Sequence, residues 1–155
     1  MRRSRSGSKK VPRGKPQTVP KYEDNLTDYI CGKAEQMSQF ADDSFDAVVC
    51  TLVLCAVDNP EAVVKEIKRV LRPKVGVFYF AEHVFARIGD GTRVIQKVAE
   101  PIWPTLFYGC HLMRESGEVI REAGFKVCKI TRFDLHIPSP IMYPLRSAIY
   151  GIASK

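Results

Sequence analysis

The 155-residue sequence has no apolar stretch long enough to cross a bilayer. Its longest runs from Ala47 to Val57, well short of the ~20 residues that a spanning helix requires. No hydrophobic segment of the secretory kind follows the basic start. The five cysteines, Cys31, Cys50, Cys55, Cys110 and Cys128, form no C-x-x-C pair, and their number is odd. That pattern argues against a zinc site and against a disulfide framework. It fits an intracellular, reducing compartment, where a strand cysteine acts as a small hydrophobe. Internal repeats are absent. No acid occurs in residues 1–21, and no aromatic side chain interrupts their basic run. A stacking reader of single-stranded nucleic acid is therefore not supported, and no nucleic-acid partner is expected.

The net charge of +7 is concentrated in one segment. Eight of the 24 basic residues lie in residues 1–21, which leaves 16 against 17 acids in the rest. Residues 1–25 are rich in Gly, Ser and Pro and poor in apolar side chains, so they read as a disordered basic tail. Residues 26–155 have the balance of a soluble globular domain.

Within that domain the apolar pattern alternates between strand and helix. Asp28–Gly32 is a short strand candidate, and residues 33–40 form a loop or a short helix. Asp42–Ser44 marks a turn. Phe45–Leu54 is a continuous apolar run, as expected of a strand covered on both faces. Asn59 caps a helix that Pro60 opens and Pro73 ends. Val63, Val64, Ile67, Val70 and Leu71 share its apolar face. Val75–Phe80 is the next strand. Arg93–Leu106 is helical, with breaks at Pro101 and Pro104. Glu115–Ala123 is a helix closed by Gly124. Phe125–Phe133 and Ser147–Ser154 are the last strands. The order predicts an α/β domain with a mainly parallel sheet and an antiparallel C-terminal strand.

The segment Ala34–Pro73 places an acid after one strand, D-x-S-F-D before the next, and then a helix of E-x-x-R-V-L-x-P type. It resembles the class I S-adenosylmethionine-dependent methyltransferases. The stretches "VVCTLVLC", "FYFAEHV", "LFYGCHLMRES" and "IYGIASK" resemble the methyltransferase-like protein 7 family, membrane-associated alkyl thiol methyltransferases. The resemblance implies a Rossmann-like sheet of order 3-2-1-4-5-7-6, with S-adenosylmethionine as cofactor and a small thiol as substrate. It also implies roles. Glu35 sits where the family places an acid near the adenine. Cys50, Thr51 and Leu52 end the strand beneath the cofactor. Glu82, His111 and Arg114 lie on the substrate side, and His83 is the candidate proton acceptor. As bland alternatives, Cys50 and the Trp103–Phe107 pair serve as core, and Arg114 pairs locally with Glu115. No metal is implied.

The sequence departs from the family in one large respect. A G-x-G-x-G loop normally follows the first strand, because glycine lets the backbone approach the cofactor. The resemblance covers residues 26–155, and the glycines ahead of that region are Gly7 and Gly14, within the tail. The acid that holds the ribose is absent, as is the family's apolar membrane segment, and Lys74 replaces a glycine before the strand. The expectation is an N-terminally truncated methyltransferase sheet without its first two strands, impaired or inactive. Alternatives are a non-catalytic remnant or isoform that binds a partner or itself through an exposed strand edge, and an incomplete gene model. A cytoplasmic location is expected for the chain, whereas the family implies the endoplasmic reticulum or lipid droplets.

Overall fold

The computed structural model describes residues 30–155. Two units are distinguished, residues 1–33 and 34–155. In the first, Ile30–Gly32 carry no strand, so the described part of the Asp28–Gly32 strand candidate is not one. The basic-tail reading lies outside the described residues. The described helices and strands all lie in the second unit.

Four strands make one sheet: β1 (Ala47–Thr51), β2 (Val77–His83), β3 (Val127–Asp134) and β4 (Ser147–Ser154), in the order β1-β2-β4-β3. β1 and β2 pair in parallel, while β4 runs antiparallel to both β2 and β3. Three strands therefore point one way and the C-terminal strand points back. This is the 4-5-7-6 half of the expected sheet.

Helices α1 (Pro60–Val70) and α4 (Ser116–Glu122) cover one face. The alternation of side chains along a strand decides what meets them. Cys50, Phe78, Phe80, Ile149 and Ala153 point inward and pack with Val63, Val64, Ile67, Leu71 and Ile120. The opposite face is open, with Val49 73% and Tyr79 45% exposed. This corrects the expectation that Phe45–Leu54 is covered on both faces. A continuous apolar run does not by itself report two covers.

Local signals fix α1. Asn59 accepts a hydrogen bond from the Ala62 N–H through its side chain at 2.8 Å, and Pro60 begins the helix where no N–H is needed. The helix ends at Val70, before Pro73 is reached, because Leu71 turns extended and bridges to Phe45. The next strand starts at Val77, not Val75. Residues 72–76 form a tight turn in which Lys74 takes φ 70° and the Gly76 N–H donates to Arg72 O at 2.9 Å. Lys74 thus stands at a left-handed position that glycine occupies without strain.

Helix α2 (Gly91–Ala99) is capped by Asp90, and α3 is the single turn Trp103–Leu106. Pro101 separates them. Pro104 falls in the first turn of α3 and breaks nothing. Gln96 of α2 is fully buried and ties three segments together. Its amide accepts from Ala86 N–H at 2.7 Å and donates to Val84 O at 3.0 Å and Pro144 O at 2.8 Å. Among the described residues no helix is long and apolar enough to cross a membrane.

Candidate functional site

The carboxyl ends of β1 and β2 lie side by side because the strands are parallel. Open α/β sheets bind ligands at this edge. β1 finishes at Thr51, and Leu52 then takes φ 55° while its N–H donates to Ala81 O at 2.9 Å. A left-handed leucine is uncommon, and such strain collects where a chain must turn for a reason. The turn delivers two backbone N–H groups to one carboxylate: Glu82 Oε1 accepts from Val53 at 3.0 Å and Leu54 at 3.2 Å. The Cys50 thiol donates to the same oxygen at 3.3 Å.

Glu82 is 1% exposed, and burial raises its pKa despite those donors. The Cys50 thiol is pushed up to about 12, first by burial and then by the neighbouring Glu82 carboxylate. Cys50 is a buried thiol that donates to Glu82 within the core. Thr51 and Leu52 are exposed at the strand end.

Glu35 lies at the loop before α1. Its Oε1 accepts from the Asp58 N–H at 3.0 Å and the Asn59 N–H at 3.4 Å. Its pKa is lowered, chiefly by its own backbone N–H and then by those of Asn59 and Asp58. The group is an ionised acceptor.

Glu82 and His83 are consecutive, so they leave β2 on opposite faces. His83 is 2% exposed and turns away from Glu82 toward a second apolar cluster built on Cys55, Trp103, Cys110 and Leu112. Its Nε2 lies 2.9 Å from Cys110 Sγ. Cys55 stands in the same group, with the three ligating atoms within 4.8 Å of one another. The Cys110 thiol is held well below its usual range, first by a hydrogen bond from Cys55 and then by His83, against the opposing effect of burial. The Cys55 thiol is pushed up by the same hydrogen bond. The sequence marks neither cysteine as part of a site. No spacing rule joins Cys55 to Cys110, because the 107–111 turn folds back onto the loop after β1, with the His111 N–H donating to Cys55 O at 2.8 Å.

The remaining substrate-side residues do not converge on one point. His111 Nδ1 contacts Glu100 Oε1 at 2.8 Å, while Glu100 Oε2 accepts from Leu112 N–H at 2.7 Å. Arg114 donates to Val57 O at 2.8 Å, and Glu115 pairs with Arg132 at 3.2 Å, so the local Arg114–Glu115 pair is not formed. Trp103 stacks on Phe107 with ring centroids 4.0 Å apart, as core.

Residues 9–80 match the model of a methyltransferase domain. The human thiol S-methyltransferase TMT1A is 44% identical over 128 residues, which cover 82% of this chain and 50% of that protein. The chain is a relative of the thiol S-methyltransferases. It spans about half the length of the curated relatives it matches. A methyltransferase of Thermotoga maritima, described as a possible histamine N-methyltransferase, superposes with a TM-score of 0.59 at 21% identity, over 82% of this chain and 64% of that one. The [4+2]-cyclase SpnF superposes with a TM-score of 0.61 at 19% identity, over 86% and 58% of the two chains. These two likenesses establish the fold alone, an α/β methyltransferase fold. The kinship with the thiol S-methyltransferases rests on sequence.

Proposed function

We propose that the chain supplies the C-terminal half of an S-adenosylmethionine-dependent thiol methyltransferase. The observation that carries this reading is the paired edge of β1 and β2. There an exposed Thr51–Leu52 turn, with Leu52 in the left-handed conformation, is locked from below by Glu82. In this reading Cys50, Thr51 and Leu52 make the floor under the cofactor. Glu35, an ionised acceptor, suits the exocyclic amine of an adenine. Glu82 holds that floor from below, His111 and Arg114 are the residues left to border a methyl acceptor, and the buried His83 faces Cys110 and not the floor.

S-adenosylmethionine supplies an electrophilic methyl on a sulfonium. The protein's task is to hold the acceptor sulfur in line with that methyl and to favour its thiolate form. The residues present fit one side of such a ligand. The glycine-rich wall is not among the 155 residues, so weak cofactor binding by this chain alone follows.

Calorimetric titration of S-adenosylmethionine into the chain tests the reading, with mass-spectrometric detection of methylated alkyl thiol. The expected outcome is binding in the millimolar range that disappears in Leu52→Asp, with little or no turnover. Micromolar binding would show that the chain completes its own pocket. No binding at any accessible concentration, by a chain that unfolds cooperatively, would sink the cofactor-floor assignment.

A second reading rests on a different observation. Among the described residues β1 has β2 as its one strand neighbour, and Val49 on it is 73% exposed. An unpaired apolar edge of this kind adds strands from another chain.

A further inference from the structure

We infer that Cys55, His83 and Cys110 form a binding site for a soft metal ion of the zinc type, with three protein ligands and a fourth position left open. Three segments distant in sequence supply the donors: the loop after β1, the last residue of β2, and the turn after α3. Their ligating atoms lie within 4.8 Å of one another, with Nε2 of His83 2.9 Å from Cys110 Sγ. Zinc bonds to sulfur at ~2.3 Å and to imidazole nitrogen at ~2.0 Å, so donors around it stand roughly 3.5–3.8 Å apart. Small rotations of these side chains reach that spacing.

The donor set is chemically selective. Two sulfurs and an imidazole suit zinc or monovalent copper and not the hard, oxygen-seeking calcium or magnesium.

The setting of the imidazole points the same way. His83 is 2% exposed, and among the described residues the partner of its Nε2 is the Cys110 sulfur. A buried imidazole normally has its nitrogens satisfied by polar groups. Here a sulfur atom takes that place, and a metal ion between Nε2 and the two sulfurs would give the ring a strong partner. Zinc takes cysteine as thiolate, so binding releases the thiol protons to solvent. This site is separate from the proposed cofactor floor: Glu82 serves the floor and His83 serves the cluster, on opposite faces of β2.

The test uses the whole chain, reduced and stripped of metal. Incubation with zinc and then desalting should leave about one equivalent bound. Cobalt in its place should give a thiolate-to-metal charge-transfer absorption. Zinc should also raise the thermal midpoint. Cys31→Ser/Cys128→Ser should retain both the stoichiometry and the absorption. Cys110→Ser and His83→Ala should each weaken binding at least tenfold. Failure of the wild-type chain to take up zinc or cobalt overturns the site, and so does retention of the cobalt absorption in Cys55→Ser/Cys110→Ser. Should the cysteine variants not fold, the wild-type chain and the Cys31/Cys128 control still decide the matter. A Cys55–Cys110 disulfide in the freshly purified chain, with no metal uptake after reduction, also overturns it.

Discussion

Two consecutive residues, Glu82 and His83, show how finely the strand ends are divided. One gathers backbone N–H groups and a thiol on the helix-covered face, and the other joins two cysteines on the opposite face. Cys50 reports on the first of these environments. Burial, and then the Glu82 carboxylate, push its thiol up to about 12 from an ordinary value of 9.0. Across that interval the folded state keeps a proton that the unfolded state has released. Stability is therefore intact below about pH 9 and falls as pH rises toward 12, by at most ~1.4 kcal/mol per pH unit for one group. Cys50→Ser retains a hydroxyl donor for Glu82 and removes the titration. In urea melts over pH 8–11 the difference in stability between the wild-type chain and Cys50→Ser should shrink or reverse as pH rises. Parallel pH profiles would show that Cys50 ionises freely in the folded state. A reading of the sequence identifies Cys50 as core. It does not reveal that Cys55, five residues on, belongs to another cluster, because the turn at Leu52 that separates them has no residue signature: leucine is a poor choice for φ 55°.

At the level of elements, the parts legible in the sequence are those whose signals are local. The Asn59–Pro60 start of α1, the Gly124 stop after α4 and the Ser147–Ser154 strand all follow from neighbouring residues. The start of β2 is not legible, because Val75 and Gly76 look like strand, whereas the 72–76 turn consumes them. A Cβ on Gly76 would stand 2.5 Å from Arg72 O. The open face of β1 and the meeting of Cys55 with Cys110 depend on residues far apart in the chain, which no periodicity records. Register imposes its own demand at Gly151. It pairs with Phe80 on β2 and Ile130 on β3. A Cβ there would lie 2.0 Å from Lys129 O and 2.7 Å from the Phe80 ring. Neither contact can be relieved by a flexible side-chain tip, since one is backbone and the other is a packed aromatic. The glycine thus lets Phe80 lie across the centre of the sheet. Gly151→Ala should destabilise the fold by ~2–4 kcal/mol, as overpacking and backbone displacement combine. Equilibrium urea unfolding measures this, and a loss below ~0.5 kcal/mol would mean that β3 and β4 are not in the described register.

At the scale of the whole sheet the governing fact is the position of β1, which stands at one end of the strand order among the described residues. In the 3-2-1-4-5-7-6 order that the resemblance implies, the strand corresponding to β1 is central and has neighbours on both sides. Among the described residues here it has β2 alone, and the face it shares with Tyr79 and Ile152 is exposed. A central strand carries none of the devices that protect natural edges: β1 is Ala-Val-Val-Cys-Thr, with no charge, proline or bulge. Its unpaired N–H and C=O groups and its apolar outer face therefore favour the same response, pairing with another strand. Two copies meeting β1 to β1 would extend the sheet and cover part of the open face in one step. The chain should accordingly shift from monomer to dimer as concentration rises in analytical ultracentrifugation. Val49→Lys, which places a charge on the exposed face without touching the core, should weaken that association at least tenfold while leaving the unfolding free energy of the monomer within ~0.5 kcal/mol. A chain that stays monomeric up to hundreds of micromolar, with the same sedimentation in Val49→Lys, would mean that the edge is covered within a single copy. That outcome would also weaken the partner-binding reading and leave the cofactor-floor reading as the account of the same strand.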